Sequence, residues 1–142
     1  MFRSYSFHHV GVAVPDLEQA TVFYQNAFGF RVVSGPVEDP IQKVKLIFLA
    51  ETGRDLTTIE LISPLDGESP VNGYLAKGVG AYHVCYEVNN ITEALAELRA
   101  KKCIIVCRPV PAVAFGGRMI AWCFTPTQQL VELLERENPG GT

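Results

Sequence analysis

Apolar and polar positions alternate along His9–Val14, which marks a strand: His9, Gly11 and Ala13 point to one face, Val10, Val12 and Val14 to the other. At Asp16 the period lengthens to that of a helix, with Leu17, Ala20, Tyr24 and Phe28 on one stripe. Asp16 is the expected N-cap, Gln19 fits a capping box, and Gly29 stands where a left-handed residue would end the helix. Strand-like runs follow over Phe30–Val33, Val44–Ala50 and Thr57–Ile62.

The same pattern returns 74 residues later. His83–Val88 repeats the opening strand, Asn90 with Glu93 repeats the cap, and Ile91, Ala94, Leu95 and Leu98 repeat the helical stripe. His, Val, Val and Ala recur unchanged at 9/83, 10/84, 14/88 and 20/94. Strand-like runs over Cys103–Cys107, Arg118–Phe124 and Gln129–Leu134 complete the second copy. A βαβββ unit cannot bury its sheet alone. The expectation is therefore an α+β fold in which two tandem βαβββ modules pack into one pseudosymmetric domain, their curved sheets around a central site. One domain spans 1–142, with module 1 at about 6–64, a linker with a short helix at 65–80, module 2 at about 81–136 and a frayed tail at 137–142.

Composition agrees with a globular chain: 48% hydrophobic, 19% charged, and 142 residues, long enough to bury roughly two-thirds of the unfolded surface. Twelve basic against fifteen acidic residues leave a net charge of -3, so an extended nucleic-acid footprint is not expected. There is no apolar run of membrane-spanning length and no signal-peptide pattern, which points to a cytoplasmic address with no membrane partner. Cys85, Cys103, Cys107 and Cys123 form no Cys-x-x-Cys pair and read as reduced core thiols.

Candidate chemistry lies on the face opposite the valines. His9 and His83 take equivalent places among small residues. In the last strand of each half, Thr58–Ile62 and Leu130–Leu134, one carboxylate sits inside an apolar run: Glu60 and Glu132. A lone buried carboxylate is costly, so it pairs, protonates or binds a metal. Singly, each His reads as a satisfied core residue and each Glu as a solvent-facing edge residue. Together, at duplicated positions, His9, Glu60, His83 and Glu132 read as ligands of one divalent metal ion with positions open for substrate. His8 competes with His9; its parity places it with the valines.

The chain resembles the vicinal oxygen chelate superfamily over roughly residues 6–136. The superfamily includes glyoxalases, extradiol dioxygenases, methylmalonyl-CoA epimerases and bleomycin resistance proteins. The resemblance rests on His8–Leu17 with Phe23-Tyr24 and Phe28-Gly29-Phe30, and on Phe115-Gly116-Gly117-Arg118 with Ile120-Ala121-Trp122. Glu60–Leu65, Glu68–Val71, Tyr74–Lys77 and Tyr82-His83-Val84 are most similar to the epimerases.

The resemblance implies the ligands His9, Glu60, His83 and Glu132, with cobalt, nickel, manganese or zinc as the metal. It also implies Glu132 and then Glu60 as carboxylates that move a proton. Epimerases commonly carry Gln where this chain has Glu60, which is like bacterial glyoxalase I; and an epimerase glutamate taken as a base falls on Leu46.

The implied function is a metal-dependent isomerase or lyase, epimerase-like first, acting on an acyl-CoA thioester. A glyoxalase I-like lyase acting on a glutathione adduct is the alternative, and a non-catalytic drug-binding protein the second. Lys43, Lys45, Lys77, Arg108 and Arg118 are candidate phosphate anchors or plain surface charges. Gly116-Gly117 is either a ligand-approach loop or a turn. Family habit adds a homodimer.

Overall fold

A computed structural model describes residues 5–53 and 56–137; the frayed tail expected at the C-terminus lies outside them from residue 138 on. The described residues form β1 (Ser6–Ala13), α1 (Leu17–Phe28), β2 (Arg31–Asp39), β3 (Val44–Ala50), β4 (Ile59–Pro64) and α2 (Val71–Ala76). Then come β5 (Ala81–Val88), α3 (Ile91–Ala100), β6 (Ile104–Pro111), a 3-10 turn at Val113–Phe115, β7 (Met119–Phe124) and β8 (Leu130–Glu135). The class is α+β and the βαβββ order appears twice.

The chain divides into two compact units, residues 9–82, and residues 83 onward together with the start of β1. In the first, the strand order is β2-β3-β4-β1; in the second it is β6-β7-β8-β5, the same topology. Within each unit the closing strand pairs parallel with the opening one, β4 on β1 and β8 on β5, and the remaining pairs are antiparallel.

The helix caps form as the sequence implies. Asp16 Oδ1 accepts the Gln19 amide at 3.0 Å and Asn90 Oδ1 accepts the Glu93 amide at 3.0 Å, each cap contributing about 1 kcal/mol. Gly29 ends α1 at φ 72°, where a side chain would be strained. The valine face of β1 meets α1: Val14, Leu17, Ile47, Leu49 and Leu61 are buried together, with Val12, Ala20, Tyr24 and Phe30 against them. In the second unit Val88, Ile91, Ala94, Leu95, Ala121 and Leu133 do the same. The helices thus seal one face of each sheet and leave the histidine face for chemistry.

The outer strands differ from the expected runs. β2 continues past Val33 to Asp39 and β6 past Cys107 to Pro111. Both carry register shifts, at Val32–Val37 and at Ile105–Val110, and these break the two-residue alternation by which a strand is recognised. Edge position also makes room for Pro36 and Pro109, which have no amide to donate. At Gly35 (φ 100°) an added Cβ would stand 3.1 Å from the Leu46 carbonyl oxygen, so the bulge requires glycine.

The thiols also need one correction. All four are free, and Cys85, Cys103 and Cys123 are buried, but Cys107 is only half-buried because β6 is an edge strand.

Candidate metal centre

Strand register delivers each carboxylate to the histidine face. In the first unit β1 and β4 align Gly11 with Glu60, so Glu60 shares the face of His9. His9 Nε2 lies 3.1 Å from Glu60 Oε1, with the imidazole fully buried and the carboxylate nearly so. β3 sets Phe48 opposite Glu60, and the Phe48 ring meets His9 edge-on, centroids 5.7 Å apart at 67°.

The second unit repeats the construction. β5 and β8 align Cys85 with Glu132, which brings Glu132 to the face of His83. His83 Nε2 lies 3.3 Å from Glu132 Oε1, and both side chains are buried. β7 sets Trp122 opposite Glu132, and the indole meets His83 edge-on, centroids 4.8 Å apart at 82°.

Each unit therefore holds one imidazole and one carboxylate in contact, backed by one aromatic edge. A buried carboxylate is tolerable only with such a partner. Each pair offers an imidazole nitrogen and a carboxylate oxygen, mixed N/O donors of the kind that suit a borderline divalent cation. All four sequence candidates fall in these pairs. The apolar–polar pattern does not single out Phe48 and Trp122; the signal that finds them is the repeat itself, since they too stand 74 residues apart.

Leu46 is buried on the same face, opposite Ile62 and two residues from Phe48. Its counterpart in the second unit is Ile120, opposite Leu134. Neither copy places a carboxylate there.

Other candidates separate by their contacts. Arg118 is committed rather than loose: its guanidinium meets Glu87 Oε2 at 2.7 Å and donates from Nε to the Glu135 carbonyl at 2.9 Å. Lys43, Lys77 and Arg108 are exposed, and Lys45 is half-buried. His8 meets the Phe115 ring edge-on at 5.5 Å. Gly116 and Gly117 adopt φ of 63° and 89°, and an added Cβ would meet nothing within 4 Å at either; backbone conformation, not close approach, requires glycine.

Comparison with known proteins bears on the chemistry. Residues 8–122 match the family model for the Glyoxalase/Bleomycin resistance protein/Dioxygenase superfamily. The chain is 41% identical over 115 residues to the mitochondrial methylmalonyl-CoA epimerase of Bos taurus, a match covering 80% of this chain and 63% of that one. It thus spans somewhat under two-thirds of the length of that relative.

The ethylmalonyl-CoA/methylmalonyl-CoA epimerase of Cereibacter sphaeroides is 35% identical, covering 80% of this chain and 83% of its own. Among solved structures, a glutamate-to-glutamine variant of the Streptomyces coelicolor methylmalonyl-CoA epimerase superimposes with a TM-score of 0.78 at 25% identity, over 95% of this chain and 99% of that one. That variant is in complex with 2-nitronate-propionyl-CoA.

Proposed function

Because the chain belongs to the Glyoxalase/Bleomycin resistance protein/Dioxygenase superfamily, we propose that it is a metal-dependent epimerase of methylmalonyl-CoA or a closely related 2-substituted acyl-CoA thioester. The observation that carries this reading is the duplicated His–Glu pair, His9 with Glu60 and His83 with Glu132. In this reading the two units act as one domain and the four side chains form a single ligand set. Cobalt, nickel, manganese and zinc all suit two imidazoles and two carboxylates. A divalent cation held by these side chains would supply Lewis-acid polarisation of the thioester carbonyl, making the α-proton easier to remove.

The chain's own groups do the rest. The imidazoles of His9 and His83 hold position, each pinned by an aromatic edge. Epimerisation needs a proton removed from one face of the α-carbon and returned on the other. With Leu46 and Ile120 apolar, Glu132 and Glu60 are the carboxylates left on the face for that work. Glu132 is the first choice, its Oε accepting the α-proton, and Glu60 the second. The buried walls around them, Phe48, Leu46, Ile120 and Leu134, keep water from competing for the proton.

The relatives support epimerisation over the glutathione-dependent alternative. Among the described residues no helix is long and apolar enough to cross a membrane. A cytoplasmic setting and a homodimer belong to the same proposal.

The test is deuterium incorporation from heavy water into methylmalonyl-CoA by protein stripped of metal and reloaded with cobalt. Metal-dependent exchange at the α-carbon is expected. No exchange with cobalt shown to be bound overturns the epimerase reading and brings the glutathione hemithioacetal forward as substrate.

A further inference from the structure

The helix side of the two sheets is not filled alike. In the first unit the Tyr24 and Phe30 rings meet at a tilt of 60°, centroids 5.8 Å apart, and pack with Leu49 against the sheet. Their counterparts follow from position. Leu98 is the eighth residue of α3, as Tyr24 is of α1. Cys103 follows the left-handed Lys102 (φ 75°), as Phe30 follows Gly29 (φ 72°). Cys123 pairs with Ile105 and Val131, as Leu49 pairs with Val32 and Ile59. Tyr, Phe and Leu in one copy are thus Leu, Cys and Cys in the other.

The lost volume stays open. A cavity of about 220 Å³ lies in the second unit, lined by Tyr5, Tyr86, Leu98, Cys103, Cys123 and Val131 among others. We propose that this cavity is a second binding site, for a small neutral molecule carrying one aromatic ring. The first copy shows what the space accepts, since it fills the equivalent volume with side-chain rings. An apolar cavity of about 150 Å³ suffices for benzene and stays dry without it; 220 Å³ therefore admits a ring with a small substituent.

The wall chemistry favours a π system. Two tyrosine rings and two polarisable sulfurs line it, and sulfur–aromatic contacts are favourable. Among the described residues no charged group lines the wall, and the Tyr5 hydroxyl donates to Glu97 Oε2 at 3.3 Å. Burial and the neighbouring Cys103 push the Cys123 thiol up to about 11, so the wall is uncharged at neutral pH and a charged ligand would be buried unpaired. The site lies on the sheet face opposite His83 and Glu132: Cys123 and Leu133 alternate with Trp122 and Glu132 along β7 and β8.

Toluene is the probe. Titrated into the full chain, it should give saturable methyl shifts at Leu98, Val131 and Leu133 and raise Tm by roughly 2–4 °C near saturation. Restoring the first copy's residues, Leu98→Tyr with Cys103→Phe and Cys123→Leu, should weaken binding at least tenfold. Leu98→Tyr alone serves if the triple variant does not fold. Unsaturable shifts scattered over the surface, or unchanged affinity in the refilled protein, overturn the site. Cyclohexane binding as tightly as toluene overturns the aromatic assignment.

Discussion

Trp122 sets its indole edge against the imidazole of His83, ring centroids 4.8 Å apart and planes at 82°, from the strand position directly opposite Glu132. One side chain thus touches one member of the buried pair and faces the other across β7 and β8. Groups that orient a metal ligand typically matter tenfold to a hundredfold in affinity. Trp122→Ala should therefore weaken cobalt binding by about tenfold or more, while Trp122→Phe keeps the ring and most of the affinity. Trp122 is the single tryptophan of the chain, so its fluorescence reports the site directly. Cobalt should quench the wild-type emission saturably; emission indifferent to cobalt that is bound elsewhere in the assay would remove the indole from the site.

Replacing His83 or Glu132 with alanine removes a candidate ligand and takes from the other a buried contact of 3.3 Å. Both variants should lose metal by elemental analysis, and both should be less stable than the wild type. His8→Ala should keep its metal, because His8 packs on Phe115. Loss of metal there would transfer the ligand role from His9 to His8.

Glu60→Gln separates two roles held by one carboxylate. The amide oxygen can still ligate or accept a hydrogen bond beside His9, but it cannot take a proton at neutral pH. Metal content should be retained. Exchange of the α-proton should fall by about a hundredfold if Glu60 serves one face of the substrate. Undiminished exchange would leave the proton work to Glu132.

The buried Cys123 thiol gives a pH signature. Desolvation, with the adjacent Cys103, holds its pKa near 11 against an ordinary 9.0. Between those values the unfolded chain loses the proton while the folded one keeps it, so stability declines as pH rises through that window. The decline from one thiol is at most about 1.4 kcal/mol per pH unit. Cys123→Val should flatten the difference in Tm between pH 9 and pH 11, relative to wild type, by that share. A curve parallel to the wild-type one would show that the thiol ionises freely in the fold.

The sequence alone determined the module and its duplication. Strand alternation in His9–Val14, the caps Asp16 and Asn90, and the recurrence of His and Glu all follow from local backbone geometry, which short stretches encode directly. They were enough to name His9, Glu60, His83 and Glu132. Tertiary structure decided what depends on register across strands far apart in sequence. The parallel pairing of β1 with β4 and of β5 with β8 turns a shared face into contacts of 3.1 and 3.3 Å. The same pairing, carried one strand further, selects Phe48 and Trp122 from many aromatics. Sequence leaves Arg118 as a phosphate anchor or a surface charge; the fold brings Glu87 and the Glu135 carbonyl to it. The outer strands stayed illegible beyond Val33 and Cys107 because bulges erase the alternation. Packing density, finally, is a property of whole side-chain sets: nothing local in Leu98, Cys103 or Cys123 announces a cavity, and the other copy shows which larger side chains fill the equivalent space.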